Sequence, residues 1–217
     1  MPTYPPEPWH LAGQMYLSLW LVPRRELPPL PDGVRPVTLA GRALMGAAWV
    51  RYENDSVLHY NEVLAAVLVR DGLRPRVTIT DIWVDSPPSK AGGRELWGIP
   101  KELAAFDISG DISRGKGLQA TARTEDATLA TASFHSRTRL PGRWPVSYRI
   151  TQQLGGHLKT SPVRSRSAAS LAKASWHFPP DSALRLPAHG QPLLSLTLHD
   201  FRLTFGNPAR AAPTPER

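Results

Sequence analysis

Val57 to Val69 reads VLHYNEVLAAVLV, and Arg76 to Val84 reads RVTITDIWV. Both runs are rich in β-branched and aliphatic residues, and both are bounded by Asp, Gly or Pro. The second alternates with the period of two that sends successive side chains to opposite faces of a strand. The same period recurs in Met15 to Val22 (MYLSLWLV), Ala43 to Tyr52, Leu118 to Thr124, Ala127 to Ser136, Val146 to Thr151 and Leu193 to Phe205. So many short strands in one chain predict a mainly β (α+β) domain, with an antiparallel or mixed sheet curled into a barrel or cone so that few edges stay exposed. One short helix is predicted from Pro87 to Trp97: Ser86 suits the N-cap, Pro87 and Pro88 suit the first positions, and Gly92, Gly93 and Gly98 weaken it. Ser161 to Ser175 reads as a polar, small-residue connection with room for a second helix, and Pro28 to Pro36 (PPLPDGVRP) as a rigid loop. Prolines crowd both ends, so the predicted domain covers residues 9–206, with 1–8 and 207–217 as extended or mobile tails.

Composition narrows the chemistry. The 217 residues are 41% hydrophobic and 20% charged, enough for one core and a solvated surface. With no cysteine, thiolate nucleophiles, disulfides, iron–sulfur clusters and Cys-rich zinc sites are excluded. No window has the uninterrupted apolar length of a spanning helix, and MPTYPPEPWH has neither the basic nor the apolar region of a signal peptide, so the expectation is a cytoplasmic protein with no membrane partner. The net charge is +8, but its arginines are spread from Arg24 to Arg217 among interleaved acids, and no nucleic-acid partner is expected. Gly110 to Gly117 (GDISRGKG) has the spacing of a phosphate loop but lacks the Ser or Thr after Lys116 and a following helix, and reads as a hairpin turn. The seven histidines make no pair at helical metal-ligand spacing.

Two charged residues sit in apolar surroundings. Glu62 lies inside the first run, and if it shares a face with Tyr60 and Leu64 it is either a rim carboxylate or a buried one with a partner. Lys101 follows Leu96-Trp97-Gly98-Ile99-Pro100 and precedes Leu103-Ala104-Ala105-Phe106. A lysine there either snorkels to solvent or is held against apolar walls, where desolvation would lower its pKa and leave a neutral amine able to attack a carbonyl.

The segment GRELWGIPK, Gly93 to Lys101, resembles the signature of the acetoacetate decarboxylase family, in which a Gly-Arg-Glu turn leads through an apolar stretch to Pro-Lys. Tyr60-Asn61-Glu62, 39 positions before Lys101, resembles the family strand that ends in an active-site glutamate. The resemblance implies a Schiff base between Lys101 and a keto acid, a carboxy-lyase activity, Glu62 as proton carrier, no external cofactor and a homo-oligomer. Tyr60, Trp83 and Trp97 are candidates for an apolar wall at the substrate that keeps the amine neutral, or else plain core, and Arg94 and Glu95 for a supporting role at the turn. The departures bear on the reaction. The decarboxylases carry a second lysine where Glu102 stands here. Their N-terminal strand carries an arginine, whereas Pro8 to Leu21 has none, and their further glutamate would fall near Gly46 to Ala48, where no acid exists. Aldolase-dehydratase or hydrolase chemistry on the same imine, and non-catalytic binding of an apolar ligand, are the alternatives.

Overall fold

The computed structural model describes residues 3–110, 117–186 and 190–207. Among the described residues, thirteen strands form one mixed sheet. The first part of the chain gives β1 (Trp9–Pro23), the short strands β2 (Arg35–Pro36) and β3 (Thr38–Leu39), then β4 (Arg42–Tyr52), β5 (Tyr60–Asp71) and β6 (Arg74–Val84). The helix α1 (Pro87–Trp97) follows, then β7 (Lys101–Leu103), β8 (Ala105–Ser109), β9 (Leu118–Arg123) and β10 (Thr128–Arg139). The chain ends in β11 (Trp144–Leu154), β12 (His157–His177) and β13 (Leu194–Phe205).

Hydrogen-bonded neighbours run β11-β6-β5-β4-β1-β13-β12-β10-β9-β8, and β11 also pairs with β12. The pairing of β11 with both β12 and β6 therefore closes a circuit of seven strands, while β12 continues past it to carry β10, β9 and β8. Curling lets the sheet bury both faces. In β4, Met45, Ala47 and Trp49 enter one core, while Ala48, Val50 and Tyr52 enter the other. Such two-sided burial explains why β4 and β5 look continuously apolar in sequence. The second core lies within the seven-strand circuit, and there Glu62 and Lys101 are found.

Ser161 to Ser175 forms no helix: it lies inside β12, the longest strand. Its first half is bonded to β11 and β13, and its second half to β10 and β13. Ser161, Ser167, Ala168, Ala169, Ser170 and Ala174 are buried there, so the strand is flanked on both edges and packed on both faces. Small side chains are what close approach on both faces allows, and tertiary pairing overrides their weak intrinsic preference for strands. The expected loop Pro28 to Pro36 pairs its last two residues, Arg35 and Pro36, with β5. Gly110 and Gly117 flank the antiparallel β8–β9 connection, and the expected turn at residues 111–116, with Lys116, lies outside the described part.

The helix forms over the expected residues. The Ser86 hydroxyl accepts the Ser89 N–H at 3.3 Å, and at the other end Gly98 takes a left-handed conformation, its N–H reaching Arg94 O at 3.0 Å. A Cβ on Gly98 would stand 2.2 Å from Gln153 O, so this cap also permits close approach of β11. Ahead of β1, the Tyr4 hydroxyl donates to Glu95 at 2.6 Å, and the Trp97 indole donates to Glu7 at 2.9 Å. Glu95 thus tethers the N-terminal segment to α1.

Candidate active site

Register brings the two charged residues together. Glu62 lies opposite Val84 across the β5–β6 pair, and Lys101 lies beside Ile82 in the parallel β6–β7 pair. Lys101 Nζ donates to Glu62 Oε2 at 2.9 Å, to Ser89 Oγ at 2.9 Å and to Tyr60 Oη at 3.2 Å, so all three of its protons have an acceptor. The other carboxylate oxygen of Glu62 accepts the Tyr52 hydroxyl at 3.1 Å. Both side chains are nearly inaccessible, at 5% and 4% exposure, and Nζ also stands 4.9 Å from the Tyr60 ring centre. Glu62 is thus buried with a partner rather than at the rim, and Lys101 is held inside rather than snorkelling to solvent.

Small residues of α1 make the approach possible. Ser89, Gly92 and Gly93 are spaced to share one helix face, and all are buried. A Cβ on Gly93 would meet Lys101 Cδ at 2.7 Å, and one on Gly92 would meet the Trp9 ring at 2.6 Å. Gly93→Ala is therefore expected to push the lysine stem off Glu62 while leaving the fold intact, with amine reactivity falling at least tenfold, since displacements near 1 Å at a reacting group cost about that or more. Adduct formation measured beside circular dichroism checks it; an unchanged rate would show that the stem has room.

The Lys101 amine is not held neutral, contrary to the sequence expectation. Burial pushes its pKa down, but the Glu62 carboxylate and the Tyr60 oxygen outweigh burial and leave it above the ordinary lysine value. Burial raises the nearby phenols: Tyr52 well above its usual value with help from Glu62, Tyr60 less because Lys101 opposes the shift, and Tyr148 up to about 12. The resting site is thus an ammonium–carboxylate pair within a cage of neutral phenols.

These shifts predict alkaline lability. In the unfolded chain the lysine loses its proton near 10.5 and the tyrosines near 10.0. Folding keeps all these protons to higher pH, so the stabilisation is whole below those values and drains as pH rises through them. The thermal midpoint should stay level to about pH 9.5 and fall steeply above pH 10. A scan from pH 7 to 11 checks this, and a decline already complete by pH 9 would contradict the pairing.

The pair sits in a chamber of about 60 Å³, walled by Trp9, Leu11, Met15, Leu64, Ile79, Ile82, Trp97, Ile99, Ile150, Leu203 and Phe205, with Tyr52, Tyr60 and Tyr148. Of the three aromatic residues named as wall candidates, Tyr60 and Trp97 line this chamber. Trp83 does not: it lies directly opposite Val63 on the other face of the sheet and belongs to the other core. One step along a strand separates it from Val84 and the chamber side, the alternation that decides such assignments. Arg94 donates from Nε to Lys101 O at 2.7 Å. Glu102, next in sequence to Lys101, turns away from the chamber to bind Arg94 and Lys90, the latter at 2.8 Å.

Ser89, Tyr52 and Tyr148 went unread in the sequence. Tyr52 and Tyr60 were detectable as the facing ends of consecutive strands; they pair in register, their rings 4.4 Å apart. Ser89 shares a helix face with two glycines that weaken the helix, a local cost that signals close approach. Tyr148 had no local signal. A larger open cleft of about 1270 Å³ lies beside the chamber and shares Tyr52 and Tyr60 with it, but its charged groups include exposed pairs such as Arg202–Asp55 at 2.8 Å. The buried pair, not the larger volume, marks the candidate site. Among the described residues no His, Cys, Asp and Glu cluster could hold a metal ion.

Comparison with known proteins bears on the fold and the family. No curated protein matches the sequence. Acetoacetate decarboxylase from Legionella pneumophila subsp. pneumophila str. Philadelphia 1 is similar in structure, with a TM-score of 0.68, 16% identity, and coverage of 95% of this chain and 88% of that one. An acetoacetate decarboxylase-like enzyme from Sphingomonas wittichii RW1 gives 0.62 at 17% identity over 92% and 90%. The enduracididine biosynthesis enzyme MppR, in complex with pyruvate, gives 0.59 at 17% identity over 94% and 89%. Identities this low establish a shared fold. The family model described as acetoacetate decarboxylase (ADC) matches residues 28–200, which include the Glu62 and Lys101 motifs, and this chain belongs to the acetoacetate decarboxylase family.

Proposed function

We propose that this protein is a Schiff-base-forming lyase in which the Lys101 amine condenses with a carbonyl substrate and the resulting iminium draws electrons from a neighbouring carbon–carbon bond. The observation that supports it is the buried contact of Lys101 Nζ with Glu62 Oε2 at 2.9 Å inside an apolar chamber. As the amine attacks, Glu62 takes up the ammonium proton; the proton returns as the carbinolamine oxygen leaves as water. In the form that the family implies, a β-keto acid gives its carboxyl proton to Glu62 as carbon dioxide leaves, the bond electrons pass to nitrogen, and the enamine carbon takes that proton from Glu62. Water then hydrolyses the imine to ketone and free amine.

One observation favours a second reading, aldol-type cleavage or addition. Glu102 occupies the place of the decarboxylases' second lysine and is tied at the surface to Lys90 and Arg94. Incubation with acetoacetate or pyruvate, reduction by borohydride and peptide mass mapping tests the common chemistry. An adduct on Lys101 that is absent from Lys101→Ala supports it, and carbon dioxide release identifies the decarboxylase form. Absence of an adduct with any keto acid or ketone would leave ligand binding without turnover as the better account.

A further inference from the structure

The chamber's charges are balanced before substrate enters, and this constrains what it accepts. The wall residues other than Lys101 and Glu62 carry no formal charge near neutral pH. Both oxygens of Glu62 and all three protons of Lys101 are engaged. When an ammonium condenses with an uncharged ketone, it becomes an iminium and releases water; one positive charge still faces one carboxylate, and the balance is kept. A substrate carboxylate drawn into the same chamber adds a second negative charge beside Glu62. In apolar surroundings this charge stands uncompensated unless a further proton is taken up.

We propose that the chamber is selective for uncharged carbonyl compounds, small ketones and aldehydes, and that its reaction is aldol-type. The proposal rests on the Lys101 imine of the preceding reading and departs from it on the keto acid. In the cleavage direction, a β-hydroxy ketone forms the iminium at Lys101, and its hydroxyl proton passes to the Glu62 carboxylate. The bond between the α and β carbons then breaks, its electrons reach nitrogen to give the enamine, and an aldehyde leaves. Glu62 returns the proton to the enamine carbon, and water hydrolyses the iminium to free the ketone.

The matched probes are 2-pentanone and 4-oxopentanoate, which share a methyl ketone and differ in the charged end. Borohydride adduct at Lys101 is measured for each by peptide mapping and divided by trapping of a free lysine derivative under the same conditions. The ketone is expected to exceed the keto acid by at least about tenfold, with the preference shrinking severalfold in Glu62→Gln, where the repelling charge is gone. Equal trapping, or preference for the keto acid, overturns the selectivity while leaving the Schiff base standing. No adduct with either probe overturns both.

Discussion

Lys101→Ala is expected to leave no borohydride adduct and to lower turnover by at least about 10³-fold, because covalent chemistry at this site has no other amine within reach. Lys101→Arg should be as inactive, since a guanidinium stays protonated and cannot condense. The loss must be separated from unfolding. Removing Lys101 leaves Glu62 buried without its counter-ion, a defect that costs about 3–5 kcal/mol where the carboxylate stays ionised and less where it takes up a proton. The alanine variant should therefore melt closer to wild type at pH 5 than at pH 8, because a carboxyl group favoured as neutral in the folded state loses stability as pH rises. Lys101→Met replaces much of the lysine stem and serves as the better-packed inactive control. A folded Lys101→Met that still forms a mapped adduct elsewhere in the chamber would sink the assignment of the nucleophile.

Glu62→Gln should split two quantities that usually move together. In the wild type the carboxylate holds the amine above the ordinary lysine value, against burial. Without that charge, burial acts with little opposition, the amine pKa falls, and more of it is neutral at pH 7. Adduct formation at pH 7 should therefore rise severalfold, and the pH at which trapping is half-maximal should move down. Turnover should instead fall by about 10²–10⁴-fold, because glutamine neither accepts the ammonium proton nor delivers one to the enamine carbon. The Tyr52 hydroxyl keeps an acceptor in the amide oxygen, so packing is little disturbed. A pH profile of trapping beside steady-state turnover checks both directions. Slower trapping with unchanged turnover would mean that Glu62 only positions the amine.

The strands that gather the site were legible because their side chains alternate between two apolar environments. Arg76 to Val84 lies within β6, and Ala43 to Tyr52 falls one residue short of β4. The helix was legible through its cap, since Ser86, the two prolines and Gly98 act within a few residues of one another. β12 was not, because serine and alanine have no strong local preference and its conformation is imposed by neighbours distant in sequence. Trp83 was misplaced for a related reason: the unbroken apolar triplet Ile82-Trp83-Val84 shows that both faces are buried there but not which face meets which core.

Sequence by itself determined the β-rich class, the short capped helix, the family signature and the two charged residues of the candidate site. Each of these is written in residues close together or in a motif of fixed spacing. Tertiary structure decided that Lys101 and Glu62, 39 residues apart, are joined by a hydrogen bond of 2.9 Å, that Ser89 and Tyr60 complete the lysine's bonds, and that the amine rests charged rather than neutral. The amine's protonation follows from a contest between desolvation and a neighbouring carboxylate, and both depend on distances that exist only once the sheet has closed around the pair.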